Sequence, residues 1–425
     1  MSRIVLVGFG SLGDLHPTIA IALELKARGH AVTVATHEMY RFKIRRERLG
    51  FHPLAPDFAT LGDLNQVFER AMNGWRGTEY VLRQMVLPFV RAQFDDLMAA
   101  ARGADLLVAH PLSYAAPVVA EVLGIPWAST SLQPVTMFSA LDPCVFSNAP
   151  WLEPWFRRSP ALSRAFLGFA RRHSRAWMAP IDRLRKGAGL PPATAHPGID
   201  GMVSPHAHLA LFSRELAEPQ VDWPASSIQT GFAFYDKDDD GTTMPEGLEA
   251  FLAVGPPPIV FTLGSSAVMA AGRFYAESAE AARRLGRRAV LLIGHDPRNR
   301  PESALPEGVV AFEYAAYSEL FPRAAAIVHQ GGAGTTAQAM RAGRPMVVVP
   351  FAHDQPDHAA RIARRGLGVT LPRHRYWADR AHDALRRVLA DPGMARRAEA
   401  VGRRVRAENG AKAAADALEA QIRGS

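Results

Sequence analysis

The sequence predicts an α/β protein made of two doubly wound, parallel-sheet domains, and three observations carry that prediction. The chain has 425 residues, too many for one ordinary core and well suited to two α/β domains of about 200 residues each. Near its start the apolar run Ile4–Val7 leads into a turn containing Gly8, Gly10 and Gly13, then a helical pattern, then the apolar run Ala31–Ala35. Near its end the same arrangement returns. Ala325–Val328 leads into Gly331, Gly332 and Gly334, then Thr335, Thr336 and a helical stretch through Ala342, then Met346–Val349. Short apolar runs of this kind suit buried parallel strands, and ligands gather at their carboxyl ends.

Taken in order, the first helix is expected from His16 or Pro17 through Arg28, with Gly29 as its stop. Further strands are expected at Phe51–Ala55, Asp105–Ala109 and Trp127–Ser131. Glu79–Ala101 reads as one long amphipathic helix with Val81, Met85, Phe89 and Leu97 on its core face. From Ser131 to Arg175 regular patterning fades. Prolines at 134, 143, 150, 154 and 160 interrupt it, and aromatics cluster at Phe138, Phe146, Trp151, Trp155, Phe156, Phe166 and Phe169. Such interruptions often form substrate pockets. His208–Phe212 is another strand, residues 1–220 form the first domain, and residues 221–245, with the acidic run Asp236–Asp240, read as a linker. The second domain spans 246–405, with strands at Ala289–Ile293 and Val309–Phe312 and helices at Phe274–Leu285, Ala378–Leu389 and Met394–Arg406. A last helix, Ala411–Arg423, lies in the final segment, 406–425.

Composition narrows the function. The net charge is +8, carried almost wholly by arginine, which fits an anionic substrate or membrane surface, or simply a composition biased towards Arg and Ala. No zinc-finger spacing or RNP-like strand points to nucleic acid. The single cysteine, Cys144, excludes an internal disulfide and a Cys-rich metal site. No apolar run reaches the roughly 18 residues a membrane span needs. MSRIVLVGFG goes directly into a strand and turn without a signal-peptide pattern, so a cytoplasmic location is expected.

The run from His329 to Ile362 resembles the donor-binding signature of the family 1 type glycosyltransferases that use UDP- or dTDP-sugars. The matching residues are Gly332, Gly334, Thr335, Gly343, Pro345, Pro350, Asp354 and Gln355. The Gly13–Pro17 loop, GDLHP, resembles that family's first loop. The resemblance implies two Rossmann-like domains facing each other across a cleft (the GT-B type), with the last helix crossing back to the first domain. Bacterial rhamnosyltransferase chains and sterol and antibiotic glycosyltransferases look most similar, the former through Asp222–Pro224, Thr230–Phe232 and Phe261–Ser265.

The resemblance implies an inverting transfer with Asp14 as base, although a helix cap is the other reading of Asp14. His110 stands where relatives keep the residue that orients the base, so the two residue types look exchanged. Donor contacts are implied for Gly13, Ser265, Tyr314, His329, Gln330, Gly332, Ala333, Gly334, Thr335, Asp354 and Gln355. Gln330 replaces the histidine common before the phosphate turn. Acceptor contacts are implied for His16, Phe138, Phe146 and Trp151, with a lipid, sterol or aromatic natural product as the hydrophobic acceptor. Trp151, Trp155, Trp177 and the arginines at 157, 158, 171, 172 and 175 suit an anionic membrane surface, or core packing beneath a solvated basic face. No Asp-x-Asp is placed to chelate a metal against the diphosphate, so neither a metal nor any other cofactor is expected beside the nucleotide-sugar co-substrate. A nicotinamide-dependent oxidoreductase (Gly8, Gly10 and Gly13 match G-x-G-x-x-G, with Glu38 the nearest ribose acid), a nucleotide-sugar epimerase and a non-catalytic helper of the same fold are the rival readings.

Overall fold

The computed structural model describes residues 1–237, 244–301 and 303–424. Two parallel sheets organise it. The first has the order β3-β2-β1-β4-β5-β6-β7, with β1 Arg3–Val7, β2 Ala31–Thr36, β3 Gly50–Pro53, β4 Leu106–Ala109, β5 Trp127–Ser131, β6 His208–Ala210 and β7 Ser227–Gln229. The second has the order β10-β9-β8-β11-β12-β13, with β8 Ile259–Thr262, β9 Ala289–Leu292, β10 Val309–Phe312, β11 Ala326–His329, β12 Met346–Val348 and β13 Gly368–Thr370. The central strands β4, β8, β9 and β11 are buried along their whole length, as expected when helices cover both faces of a parallel sheet. In both sheets the order reverses beside the first strand of the domain, β1 or β8, and a glycine turn follows at the switch point.

The second sheet's core joins Ile259, Phe261 and Val328 to Phe274, Leu385 and Val388 of its covering helices. The first sheet's core is completed from the far end of the chain. Ala414, Ala415 and Leu418 of the last helix, Gly410–Gly424, pack with Ile4, Leu6 and Ile19. Arg28 reaches Asp416 at 2.7 Å and His30 reaches Glu419 at 3.0 Å across the same contact. The last helix therefore returns to the first domain.

Several boundaries differ from expectation, each for a local reason. The first helix is Leu12–Ala27, capped at Ser11, so it starts one turn earlier than Pro17 suggested. Pro17 is therefore the sixth residue of the helix, inside it rather than at its start, and leaves the Gly13 carbonyl without its i+4 N–H. Glu79–Ala101 is not one helix. A short turn at Gly77–Tyr80 widens into a π-turn at Val81–Val86, tightens at Leu87–Phe89 around Pro88, and only then becomes the α-helix Val90–Ala101. The faded stretch holds two helices, Glu153–Arg158 and Pro160–Ser174, each with proline near its start, where proline is favoured. β7 lies inside the expected linker and extends the first sheet to Gln229; three residues are too few to show an alternating pattern. Of the acidic run Asp236–Asp240, residues 238–240 lie outside the described residues. Asp236 itself binds Gln338 at 2.8 Å and Arg341 at 2.7 Å.

Candidate active site

Asp14 sits in the first turn of the helix Leu12–Ala27. Its Oδ2 accepts from the Ser11 N–H at 2.9 Å and from the Ser11 hydroxyl at 3.1 Å, which leaves Oδ1 for other work. The capping and catalytic readings of Asp14 are therefore compatible, one oxygen each. Gly10, at φ +99°, makes the room: a Cβ there would lie 2.7 Å from Oδ2. Burial raises the Asp14 pKa to about 6, opposed by the Ser11 bonds and assisted by the charge of Asp354.

His110 follows β4 and faces Oδ1, with Nε2 3.9 Å away. Its Nδ1 accepts from the Leu112 N–H at 3.2 Å, so the ring proton lies on Nε2, buried and with no hydrogen-bond partner. Burial, reinforced by His37, lowers the His110 pKa to about 3. Asp14 and His110 are neighbours without a direct hydrogen bond: a carboxylate that titrates near neutrality faces an imidazole that stays neutral.

The second glycine turn joins β11 to the helix Ala333–Ala342, capped at Gly332. Gly332, Ala333 and Gly334 are partly open, whereas Thr335 and Thr336 are buried. Gln330 is buried between two turns. Its Nε2 lies 3.3 Å from Thr335 Oγ1, its Oε1 has no partner, and a Cβ on Gly264 would meet Nε2 at 2.3 Å. His329 is fully buried at the end of β11, its Nδ1 accepting from the Gly331 N–H at 3.1 Å. It shapes the turn from beneath and presents no surface to a ligand, which departs from the contact expected of it. Ser265 is exposed beside the turn and Tyr314 is partly buried. Tyr317, three residues on, hydrogen-bonds Thr262 at 2.8 Å and stacks on Phe321.

The two helix starts meet. A Cβ on Gly334 would lie 3.2 Å from Gly13 Cα. The first turns of the two helices are thus in contact, and the unpaired N–H groups and positive dipole end of a helix start favour a bound anion. Buried polar atoms without partners gather around the two strand ends: His110 Nε2, Gln330 Oε1 and Thr336 Oγ1. Other buried polar atoms without partners lie elsewhere in the chain, Gln93 Oε1 and Gln229 Oε1 among them, so these atoms do not by themselves mark a ligand site.

Asp354 stands just before the helix Gln355–Arg364, without a side-chain capping bond, and is partly open, its Oδ2 3.3 Å from His358 Nδ1. Gln355 turns inward instead. Its Oε1 accepts from the Phe351 N–H at 2.8 Å and the Ala352 N–H at 3.2 Å, so it holds the loop rather than facing a sugar. The same helix ties the domains together. Asp357 accepts from the Val145 N–H at 3.0 Å and from Arg361 Nε at 2.8 Å, and Arg361 also pairs with Asp142.

The expected acceptor residues divide. Phe146 packs on Phe166, and Phe166 on Phe156. Phe138 is partly buried with its backbone at φ +49°. His16 packs edge-on against Tyr235, after β7. Trp151 is 57% exposed beside Trp75, itself 69% exposed, and Trp155 is 62% exposed. The tryptophans at 151 and 155 are thus surface groups, not core.

Four positions escaped the sequence. His37 receives the Gly10 N–H at 3.3 Å on Nε2, and its Nδ1 donates to the Pro56 carbonyl at 3.0 Å, fixing the first glycine turn. Burial lowers its pKa to about 4. His358 and the Asp357–Arg361 pair read in sequence as an ordinary helix face. The only available signal was a polar run, QPDHAAR, where a buried helix should be apolar. Glu38, two residues beyond β2, pairs with Arg41 at the surface. Among the described residues, no group of three His, Cys, Asp or Glu side chains is gathered as for a metal, and no helix is long and apolar enough to cross a membrane.

Comparison with known proteins agrees with this geometry. Residues 4–141 match the glycosyltransferase family 28 N-terminal domain, and 284–420 the erythromycin biosynthesis protein CIII-like C-terminal domain. The chain is 34% identical over 425 residues to an O-mycaminosyltylonolide 6-deoxyallosyltransferase from Streptomyces fradiae, covering 98% of this chain and 97% of that one. It is 27% identical over 441 residues to a sterol 3-beta-glucosyltransferase from Cryptococcus neoformans, covering 98% of this chain but only 27% of that longer protein. The crystal structure of the glycosyltransferase VinC in complex with dTDP superposes with a TM-score of 0.69 at 21% identity, covering 100% of both chains, and shares the fold. With two facing parallel-sheet domains, a glycine turn at each switch point and a relative of this identity along its whole length, the chain belongs to the family 1 glycosyltransferases of GT-B fold.

Proposed function

We propose that the protein transfers a sugar, with inversion, from a dTDP- or UDP-sugar to a hydroxyl of a hydrophobic natural product, sterol or lipid. The observation that carries this reading is the junction of the two helix starts at Gly13 and Gly334, with Asp14 on one side and Asp354 on the other. The diphosphate lies at the junction, held by the amides of Gly332 to Thr335 and by Ser265. Asp354 takes the sugar hydroxyls. The acceptor oxygen attacks the anomeric carbon as the carbon–oxygen bond to the diphosphate breaks. The acceptor proton passes to Asp14 Oδ1, and the departing electron pair resides on the diphosphate, where the helix ends stabilise it. The deoxysugar in the name of the Streptomyces relative supports a dTDP-sugar over other donors, and the O-mycaminosyltylonolide and sterol transferases among the relatives support a bulky apolar acceptor.

Thermal melting with UDP, dTDP and NAD, each with and without EDTA, tests the donor site. A ligand at a hundredfold excess over Kd stabilises the fold by about 2.7 kcal/mol. A rise with dTDP or UDP that EDTA leaves unchanged is expected. A rise with NAD alone would return the oxidoreductase reading to favour. Trp151, Trp155 and Phe169 are exposed, and no acidic residue occurs from 154 to 181, a stretch with six arginines. This supports peripheral contact with an anionic membrane surface as a route for an apolar acceptor.

A further inference from the structure

The mechanism above uses Asp354 and the glycine turn as separate donor contacts, yet one buried side chain touches both. His358, fully buried in the helix Gln355–Arg364, donates from Nδ1 to the Gly331 carbonyl at 2.7 Å. The same nitrogen lies 3.3 Å from Asp354 Oδ2. Gly331 is gripped on its other side as well, by His329 Nδ1 receiving its N–H at 3.1 Å. Gly331 stands at φ +90°, and a Cβ there would meet Val348 Cγ1 at 2.9 Å and the Gln355 carbonyl at 3.0 Å. The residue that launches the turn is therefore held at both of its polar backbone groups, with no space to relax.

The post carrying His358 is itself fixed. Asp357 and Arg361 anchor the same helix to the segment 142–145 of the first domain. His358 Nε2 has no partner, so burying an imidazole here is unfavourable except for what Nδ1 does. An apolar side chain of similar size would pack without that cost.

We propose that His358 is a positioning residue for sugar transfer, tying the anion-binding turn at Gly331–Thr335 to Asp354 so that diphosphate and sugar are held in one register. This rests on the donor reading given above. His358 touches neither substrate. It sets the spacing between two groups that do.

The test compares wild type with His358→Leu, His358→Asn and Asp354→Asn, using dTDP, UDP and the corresponding nucleotide sugar accepted by wild type. Calorimetry gives affinities, steady-state kinetics gives KM for each substrate, and circular dichroism confirms folding. His358→Leu is expected to weaken nucleotide binding about tenfold and to lose, in addition, the extra affinity the sugar confers. Acceptor KM stays within twofold. Asp354→Asn loses only the sugar's share. His358→Asn, whose Nδ2–H reaches the same carbonyl, recovers nucleotide affinity to within threefold. A folded His358→Leu that binds nucleotide like wild type, or an Asn variant as weak as the Leu variant, would overturn the assignment. Wild type that binds neither nucleotide would overturn the donor reading and this inference together.

Discussion

Replacing Asp14 with asparagine should make the protein more stable while removing its activity. In the folded chain the Asp14 carboxyl is shifted from 3.8 to about 6, chiefly by burial. A raised acid pKa means the folded state prefers the protonated form. Its contribution to stability is fully present below pH 3.8, declines as pH rises, and is gone above about 6. At about 1.36 kcal/mol per pKa unit, ionised Asp14 destabilises the fold at pH 7 by up to roughly 3 kcal/mol. The side chain is 31% exposed, and solvent screening brings the expected figure to about 1–2 kcal/mol. Asparagine keeps an oxygen to accept from Ser11 and never ionises, so it escapes this cost. Urea unfolding of wild type and Asp14→Asn from pH 3.5 to 7.5 measures the difference. The two curves should lie close together at the acid end and separate as pH rises, with the variant more stable. Transfer by the variant should fall by roughly 10²–10⁴-fold, with nucleotide binding retained. A variant that is less stable at pH 7, or a stability gap that does not change with pH, would refute the buried-carboxylate argument. Retained transfer would refute the base assignment.

Four further outcomes are expected. Wild-type kcat/KM should fall about tenfold per unit below pH 6 as Asp14 protonates. His110→Gln should lower kcat about 10- to 100-fold without moving that limb, since His110, held near 3, does not titrate there; a limb that vanishes with His110 would contradict this. Arg361→Met leaves Asp357 charged and buried and should destabilise the protein by about 3–5 kcal/mol, whereas the double variant with Asp357→Leu should recover most of the loss; equal melting of single and double variants would show the pair to be idle. The protein should co-sediment with phosphatidylglycerol vesicles and not with phosphatidylcholine vesicles, less so in high salt or with Trp155→Ser and Phe169→Ser together; equal recovery with both lipids would remove the anionic-surface reading.

The parts of this molecule that could be read from its sequence are those with a local cause. β1, β4 and β11 announce themselves as apolar runs ending at polar or glycine-rich turns, because a strand buried on both faces has nowhere to put a polar side chain. The turn at Gly331–Gly334 was visible for the same reason, since backbone that must bend tightly or approach a ligand needs glycine at set intervals, whereas Asp14 stood out only through the resemblance of its loop to a known family. What was hidden depends on partners distant in the chain. Gln355 looks like a ligand contact, yet the Phe351 and Ala352 amides claim its carbonyl oxygen. His329 looks like a donor contact until its burial at the end of β11 is seen. The helices at 153–158 and 160–174 were obscured because their proline-bearing first turns resemble loop. Nothing in the run QPDHAAR says that Asp357 and Arg361 neutralise each other against Asp142, more than two hundred residues away.

The last helix has a consequence for anyone recombining members of this fold. It follows the second domain in sequence, but Ala414, Ala415 and Leu418 complete the hydrophobic core beneath β1 of the first domain. A hybrid spliced in the connector after β7 would therefore import a foreign wall for the first domain's core along with the new second domain, and would separate Arg28 and His30 from Asp416 and Glu419. The natural unit of exchange is interrupted rather than contiguous: the second sheet with its covering helices, but with residues 410–424 kept from the parent that supplies residues 1–230.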